Sequence, residues 1–286
     1  MEGVIIMMNA LVLQSDFGLE DGAVSAMKGV AHNVSKVIPI FDNTHDIPPF
    51  DIWAGSYRLW QTVNYWPAGT VFVSVVDPGV GSDRKSVVVK TKANQYIVTP
   101  DNGTLTHIAE NIGIEAIREI DEKVNRLPTS GASHTFHGRD IYAYTGARLA
   151  AGVITFTEVG QELAVDNIVH LPYFSPKVIE QSIHGTIDIL DVRFGNLWTN
   201  ISRELFFELD IQYGDKIEVK ILHESRKVYS NIIAFERSFA AIHVGEPLLY
   251  VNSLDNMAIA INQGSFAKAY NIGTGTSWQI MIRKVE

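Results

Sequence analysis

Residues 11–29 read LVLQSDFGLEDGAVSAMKG, an apolar run that stops at SDFG (15–18) and leads into a segment of helical composition. A second apolar run, KVIPIFD (36–42), follows and again closes on an acid. Strand, helix and strand at this spacing predict a right-handed crossover and parallel pairing of the two strands. The stretch therefore predicts an α/β fold with a largely parallel central sheet, flanking helices and acids at strand ends, where such sheets bind ligands.

The pattern of apolar and polar residues changes after about residue 170. Residues 1–170 alternate strand-like and helix-like segments and predict the α/β domain, which we expect to be catalytic. Residues 171–182 contain prolines and no clean period, so they predict a linker. Residues 183–286 hold short alternating runs such as TIDILDV and DKIEVKI, separated by Gly, Asn and Asp. This pattern predicts a small all-β, barrel-like domain.

Composition excludes several classes of function. The 286 residues include 32 acids against 23 bases, for a net charge of −9, which argues against a nucleic-acid partner. Cysteine is absent, which excludes disulfides and thiolate chemistry. The apolar runs are too short for a membrane span, and the opening MEGVIIMMNA has no basic region typical of a signal peptide. We therefore expect a soluble, cytoplasmic protein without a membrane partner.

The tripeptide Asp-Phe-Gly at 16–18 is also the magnesium-binding motif of protein kinases. A kinase carries a glycine-rich loop and a His-Arg-Asp motif before it, whereas here HGRD (137–140) lies far downstream. The order excludes a kinase. A carboxylate at a strand end can instead accept hydrogen bonds from both ribose hydroxyls, so Asp16 is a candidate ribose ligand. The alternative is that Asp16 or Asp21 caps the following helix.

The stretch VVDPGVGSDRKSV (75–87) places another acid at a strand end. Asp77 closes the apolar run, the Pro-Gly pair turns the backbone, and Arg84 can fold back towards the acid. Two interpretations remain open on local grounds. The pair is either structural, bracing the turn, or part of a reactive site.

The stretch HTFHGRD (134–140) supplies a histidine followed by glycine. Gly138 permits close backbone approach at the start of a helix, beside the side chain of His137. His134 and His137 could suggest a metal site, but histidines three apart without a patterned carboxylate are a weak signal. A metal-dependent phosphohydrolase or a non-catalytic adenosine-binding protein remains an alternative of a different class, with a candidate ligand set of Asp16, Asp42, His45, Asp46 and Asp77.

Six stretches, in order along nearly the whole chain, resemble the S-adenosylmethionine hydroxide adenosyltransferases, a family that also contains adenosyl-fluoride and adenosyl-chloride synthases. The stretches are SDFG (15–18), VVDPGVGSDRKSV (75–87), PDNG (100–103), TFHGRD (135–140), FGNLWTNI (194–201) and the segment from LLYVNS to INQG (248–264).

The resemblance implies hydrolysis of S-adenosyl-L-methionine (SAM) to adenosine and L-methionine, by attack of water on the ribose C5′. It implies an α/β domain followed by a β-barrel, a homotrimer with active sites between subunits, and no metal or cofactor beyond the substrate. The catalytic set corresponds to Asp77, Arg84 and His137; which of them takes the proton stays open. The expected substrate contacts are Asp16, Asp21, Phe50, Gly138, Asp191, Phe194, Asn196, Ser253, Asn262 and Gln263.

Within these expectations, Asp16 grips the ribose, Asp191 holds the methionine ammonium group, and Ser253 lies near its carboxylate. The halogenating relatives differ from this chain at the reactive positions. The fluoride-using members carry tyrosine in place of Asp77, a Tyr-Ser pair in place of His137-Gly138, and an insertion near residues 92–95. Because a carboxylate repels a halide, these departures favour hydrolysis over the alternative, 5′-halo-adenosine synthesis.

Overall fold

A computed structural model of the chain describes residues 8–131 and 134–285. These residues form two compact units, with the division between Leu171 and Pro172. No helix in the described ranges is long and apolar enough to cross a bilayer.

The first unit is a seven-stranded sheet with helices on both faces, in the strand order β2-β1-β3-β5-β4-β6-β7. Its strands are β1 (Leu11–Ser15), β2 (Ile40–Thr44), β3 (Val71–Val75), β4 (Ser86–Thr91), β5 (Tyr96–Pro100), β6 (Ile114–Glu119) and β7 (Glu162–Leu163). Its helices are α1 (Ala23–Val34), α2 (Ile52–Val63), α3 (Thr106–Asn111), α4 (Glu122–Asn125), a π-helical turn (Gly138–Ala143), α5 (Tyr144–Ala150) and 3₁₀ turns at Phe156–Val159 and Val165–Asn167.

Strand β1 lies between β2 and β3 and pairs with both in parallel. The chain leaves β1 for β2 through α1 and returns through α2 to β3 on the other side, so the carboxyl ends of β1 and β3 form a topological switch point. Ser15 is the register partner of Val75, which brings Asp16 and Asp77 to the same edge. Open α/β sheets bind their ligands at such an edge.

The prediction of a largely parallel sheet is wrong for its second half. Strands β2, β1, β3 and β5 are parallel, but β4, β6 and β7 add antiparallel pairings. The reason is the short connection of residues 92–95 between β4 and β5, since so few residues can join only antiparallel neighbours. The sheet is therefore mixed, and the ligand edge belongs to its parallel half.

Two apolar layers enclose this sheet. One contains Leu11, Leu13 and Val73 from the sheet and Met27 and Ala147 from α1 and α5. The other contains residues of the opposite sheet face with Leu59 and Val63 of α2 and Ile108 of α3. Strand side chains that face both layers explain the near-continuous apolar runs in the sequence.

The second unit has eight strands, seven of which close into a β-barrel, as the alternating runs predict. Its strands are β8 (Lys177–Ile179), β9 (Ser182–Leu190), β10 (Leu197–Ser202), β11 (Lys216–His223), β12 (Arg226–Phe235), β13 (Pro247–Val251), β14 (Asn256–Ile261) and β15 (Gly275–Lys284). Pairing of β10 with both β14 and β9 closes the ring, and β8 extends it from β9. Short helices α6 (Arg203–Phe207) and α7 (Phe266–Tyr270) and a 3₁₀ turn at Phe239–Ala241 complete the unit.

Candidate active site

A cavity of about 280 Å³ opens at the carboxyl ends of β1 and β3. Five of the predicted site residues line it together: Asp16, Phe50, Asp77, His137 and Gly138. Phe17, Pro49, Val75, Val80, Thr135 and Phe136 complete the wall. Two acids and an imidazole in a small, largely apolar cleft form a candidate reaction site.

Hydrogen bonds with the segment of residues 45–50 hold Asp16 and its turn at the mouth of this cavity. Its Oδ2 accepts the backbone N–H of Phe50 at 2.8 Å, and the N–H of Gly18, at a φ of 67°, donates to the His45 carbonyl. Beneath the turn, the buried Ser15 hydroxyl lies 2.6 Å from His45 Nδ1. These contacts fix the strand end and leave the second carboxylate oxygen of Asp16 available to a ligand hydroxyl.

Asp77 and Arg84 form a bidentate ion pair inside the loop after β3. Arg84 Nε donates to Asp77 Oδ1 at 2.8 Å, and its Nη2 donates to Oδ2 at 2.5 Å. The two side chains are only 6% and 10% exposed. From the PDNG stretch, the amide of Asn102 donates to the Val76 carbonyl at 2.9 Å, which fixes the residue before Asp77. The carboxylate is therefore oriented before any ligand binds.

Two buried groups set the position of the Arg84 guanidinium. Its Nη1 donates to the Ser86 hydroxyl at 2.9 Å, and that hydroxyl lies 3.1 Å from the Tyr142 hydroxyl. The Tyr142 ring also faces the guanidinium, with the charge 5.6 Å from the ring centroid. Burial raises the pKa of Tyr142, so this ring stays a neutral phenol. A locked guanidinium fork presents its donors in one geometry.

His137 lies between two guanidinium groups. Arg84 Nη2 is 2.9 Å from its Nδ1, and Arg126 Nη2 is 3.4 Å from its Nε2. Because a guanidinium only donates, the shorter contact indicates that the Nδ1 lone pair of His137 accepts a hydrogen bond from Arg84. Burial, then the positive charges of Arg84 and Arg126, hold the pKa of His137 below its ordinary value of 6.5, against the opposing effect of Glu122 and Asp77. The imidazole is neutral at pH 7.

Removal of the Arg126 charge tests this environment. Arg126→Gln should raise the pKa of His137, because one of the charges that disfavour imidazolium is lost. Protonation of Nδ1 breaks the bond from Arg84, so activity falls on the acid side, at a pH below 6.5 in the parent enzyme. In the variant this limb of the kcat profile should move upward in pH. Lys123→Gln, an exposed charge removed from the neighbouring α4, is the control; an equal shift there would contradict the assignment.

Gly138 allows the π-helical turn to pass close to the cavity wall. A Cβ at this position would lie 3.0 Å from the ring of Phe17, which itself packs edge-on against Phe136 at 5.7 Å between centroids. A side chain here would press on the Phe17 ring, which would have to move by a few tenths of an ångström. π-helical segments occur frequently at functional sites, and this one joins the site to α5.

Asp21 does not line the cavity. It is exposed, and its Oδ1 accepts the N–H of Ala23 at 2.8 Å, at the start of α1. The bond holds the first residue of α1, but the N-cap position is Gly22 and has no side-chain cap. Asp42, offered as a metal ligand, instead pairs with Lys28 at 2.6 Å and with His45 at 3.1 Å. Across residues 8–131 and 134–285, no three histidine or acidic side chains are grouped as a metal site requires.

The barrel carries a second cavity, of about 730 Å³. It brings together all six predicted binding residues of the second unit, although they come from three separate parts of the chain: Asp191, Phe194, Asn196, Ser253, Asn262 and Gln263. The Phe194 ring is 67% exposed, whereas Asn196 is buried at the floor. An exposed aromatic face beside a buried amide suits a flat heteroaromatic ring.

Backbone contacts shape the rim of the barrel cavity. The Asn262 amide group donates to the carbonyls of Phe239 and Ile242, at 3.1 and 3.0 Å, and thereby holds the Phe239 turn at the cavity. The backbone N–H of Asn262 donates to the Glu246 carbonyl, and its own carbonyl accepts from Gly245. Asn262 therefore stabilises the rim of the cavity through its side-chain and backbone hydrogen bonds.

Sequence reasoning missed several lining and supporting residues. In the barrel these are Arg193, Trp198, Phe239 and Tyr250, and beside the first cavity they are Ser86, Arg126 and Tyr142. Burial, with the nearby charge of Asp191, raises the pKa of Tyr250 to about 12, so it remains a hydroxyl. Arg193 and Trp198 stand within or beside the FGNLWTNI stretch and could have been found there. Arg126 has no local pattern that marks it.

Family models match most of the chain. Residues 11–160 match the SAM hydroxide adenosyltransferase N-terminal domain, and residues 185–279 match the C-terminal domain of the same family. A relative from Methanocaldococcus jannaschii, named (R)-S-adenosyl-L-methionine hydrolase, is 40% identical over 222 residues, covering 76% of this chain and 75% of the relative.

Two further similarities span nearly the full length. A fluorinase from an Actinoplanes species is 29% identical, covering 93% of this chain and 95% of the relative. The crystal structure of an uncharacterized conserved protein from Thermotoga maritima superposes with a TM-score of 0.87 at 34% identity, covering 96% of this chain and 99% of that one. The fold of this chain is thus shared with a solved structure.

Proposed function

The chain belongs to the SAM hydroxide adenosyltransferase family, and on that basis we propose that it hydrolyses S-adenosyl-L-methionine to adenosine and L-methionine. The observation that supports hydrolysis most is the Asp77 carboxylate, which lies at the cavity wall in a fixed bidentate pair with Arg84. A carboxylate accepts a proton from water and disfavours a halide at the same position.

The difficult step of this reaction is the activation of the nucleophile. The sulfonium leaves C5′ as a neutral thioether, taking the electron pair of the C–S bond, so the leaving group needs no acid. Water is a weak nucleophile and has to be oriented and partly deprotonated. In our proposal its oxygen bonds to C5′ while Asp77 accepts its proton, which then passes to solvent. The product is the 5′-hydroxyl of adenosine.

Arg84 and His137 have positioning roles in this proposal. Arg84 contacts both Asp77 and His137 and fixes the position of these two side chains relative to each other. Because the Nδ1 lone pair of His137 is occupied by Arg84, this nitrogen is not available as a base. His137 lines the cavity as a neutral imidazole and orients the water. Asp77 is therefore our choice for the proton acceptor.

We propose that the substrate is bound by both cavities, with the barrel cavity supplied by a neighbouring subunit of a homotrimer. Asp16 holds the ribose, and Asp191, Phe194 and Asn196 hold the methionine ammonium and the adenine. What supports this is that each unit exposes a large aromatic at its cavity, Phe50 at 71% and Phe194 at 67%. Such aromatics usually gain their stability by burial against a ligand or partner.

The test of the proposed function is product analysis. With SAM as sole substrate, in a metal chelator and high chloride, we expect adenosine and methionine in equal amounts. The fixed Asp77 charge makes 5′-chloro-adenosine at most a trace product. A chloro-nucleoside as main product would assign the chain to the halide-using branch, and loss of activity in chelator would favour the metal-dependent alternative.

A further inference from the structure

The barrel cavity contains two charged residues of opposite sign on one turn. Asp191 and Arg193 are the only charged side chains among its described lining residues, and both lie between β9 and β10. The turn is closed by the bond from the Gly195 N–H to the Asp191 carbonyl at 2.7 Å, and by that from the Asp191 N–H to the Asn196 carbonyl at 2.9 Å. The two side chains thus have a fixed, short separation along the backbone.

Asp191 is oriented by this same turn. Its Oδ1 faces the backbone N–H groups of Arg193 and Phe194, at 3.2 and 3.4 Å. That contact ties one carboxylate oxygen of Asp191 to the backbone of the turn. Within the described residues the guanidinium of Arg193 makes no ion pair and no hydrogen bond, and the residue is exposed at the cavity wall. A guanidinium without a partner at a cavity wall has five donors available to a ligand.

We propose that Arg193 binds the α-carboxylate of the substrate while Asp191 binds its α-ammonium group. This assignment rests on the proposed function, and it names Arg193 as the residue that selects a free amino acid end. An α-amino acid carries both charges on a single carbon, so its recognition requires an acid and a base close together. The Asp191–Arg193 turn supplies that pair. The guanidinium fork matches the two oxygens of a carboxylate.

The carboxylate is remote from C5′, so the contact is the same in the ground state and in the transition state. Loss of such a contact raises KM and leaves kcat unchanged. Arg193→Gln should therefore raise the KM for SAM by about 10- to 100-fold, the range for a lost charge-assisted bond, with kcat within about twofold. Arg193→Lys keeps the charge without the fork and should fall in between.

The deciding comparison uses decarboxylated SAM, S-adenosyl-3-methylthiopropylamine, which lacks only the carboxylate. For this compound, Arg193→Gln and the parent should have the same KM within about threefold, because the contact is absent in both. Arg226→Gln, an exposed charge at the start of β12 outside the cavity, is the matched control for long-range charge and should leave both substrates unaffected.

An equal loss for both substrates, or no loss for SAM, would overturn the assignment of Arg193. Failure of the proposed function is a separate result. If the parent enzyme hydrolyses neither compound, the same two-by-two comparison is made with equilibrium dissociation constants. A selective weakening of SAM binding in Arg193→Gln would then still support the carboxylate contact, whereas parallel constants would refute it.

Discussion

Asp77→Asn is expected to lower kcat by about 10²- to 10⁴-fold, the usual contribution of a general base, with KM changed by at most about tenfold. The amide keeps the volume of the side chain and one acceptor towards Arg84, but it loses the negative charge and the proton acceptor. The substrate is held mainly elsewhere in our proposal, by Asp16, Asp191 and Asn196. Steady-state kinetics with SAM separates the two effects.

The matched control is Asp83→Asn, which removes an exposed acid from the same loop. It should keep near-parental kcat. Because Asp77 and Arg84 are both largely buried, thermal melting of Asp77→Asn is needed to establish that the variant is folded. A folded variant with near-native turnover would refute the role of Asp77 as base. So would a hundredfold loss of binding with unchanged turnover, since that result would make Asp77 a binding residue.

A mixture of two inactive variants is expected to regain activity if each site is shared between subunits. Asp77→Asn impairs the first cavity and Asn196→Ala impairs the barrel cavity. In an equal mixture that exchanges subunits freely, about one quarter of the sites pair an intact first cavity with an intact neighbouring barrel. Activity at a SAM concentration well below KM should therefore rise from near zero to about one quarter of the parental value.

The same mixture also tests the alternative that each site is built from a single chain. Every chain in it carries one defect, so sites built from a single chain would all remain impaired and mixing would restore nothing. A mixture of Asp77→Asn with Arg84→Met, both defective in the first cavity, is the matched control and should stay inactive in either case. Recovery in that control, or a fully active monomer, would contradict the shared site.

Much of the first cavity could be predicted because its residues follow strand ends. Asp16 and Asp77 close apolar runs, and the parallel pairing of β1 with β3 brings such positions to one edge. Arg84 lies within reach of Asp77 along the same loop. The antiparallel half of the sheet is also encoded, in the short connection between β4 and β5. The strand-helix-strand pattern of residues 11–42 indicates parallel pairing only for the strands that it contains.

The remaining residues depend on tertiary structure that no local pattern encodes. Arg126 reaches His137 from the residue after α4, and Tyr142 reaches Ser86 across more than fifty positions of sequence. Asp21 shows the opposite case. It is acidic and close to Asp16 in sequence, yet its carboxylate is used by the start of α1. Proximity in sequence to Asp16 therefore does not place an acid at the cavity.

The position of an isotope label in the products decides whether water attacks C5′ of SAM. Hydrolysis in ¹⁸O-water, with chelator present, should place the label on the 5′-oxygen of adenosine and leave methionine unlabelled. Mass spectrometry of both products reads the outcome. Unlabelled adenosine, or label found in methionine, would contradict attack by water at C5′.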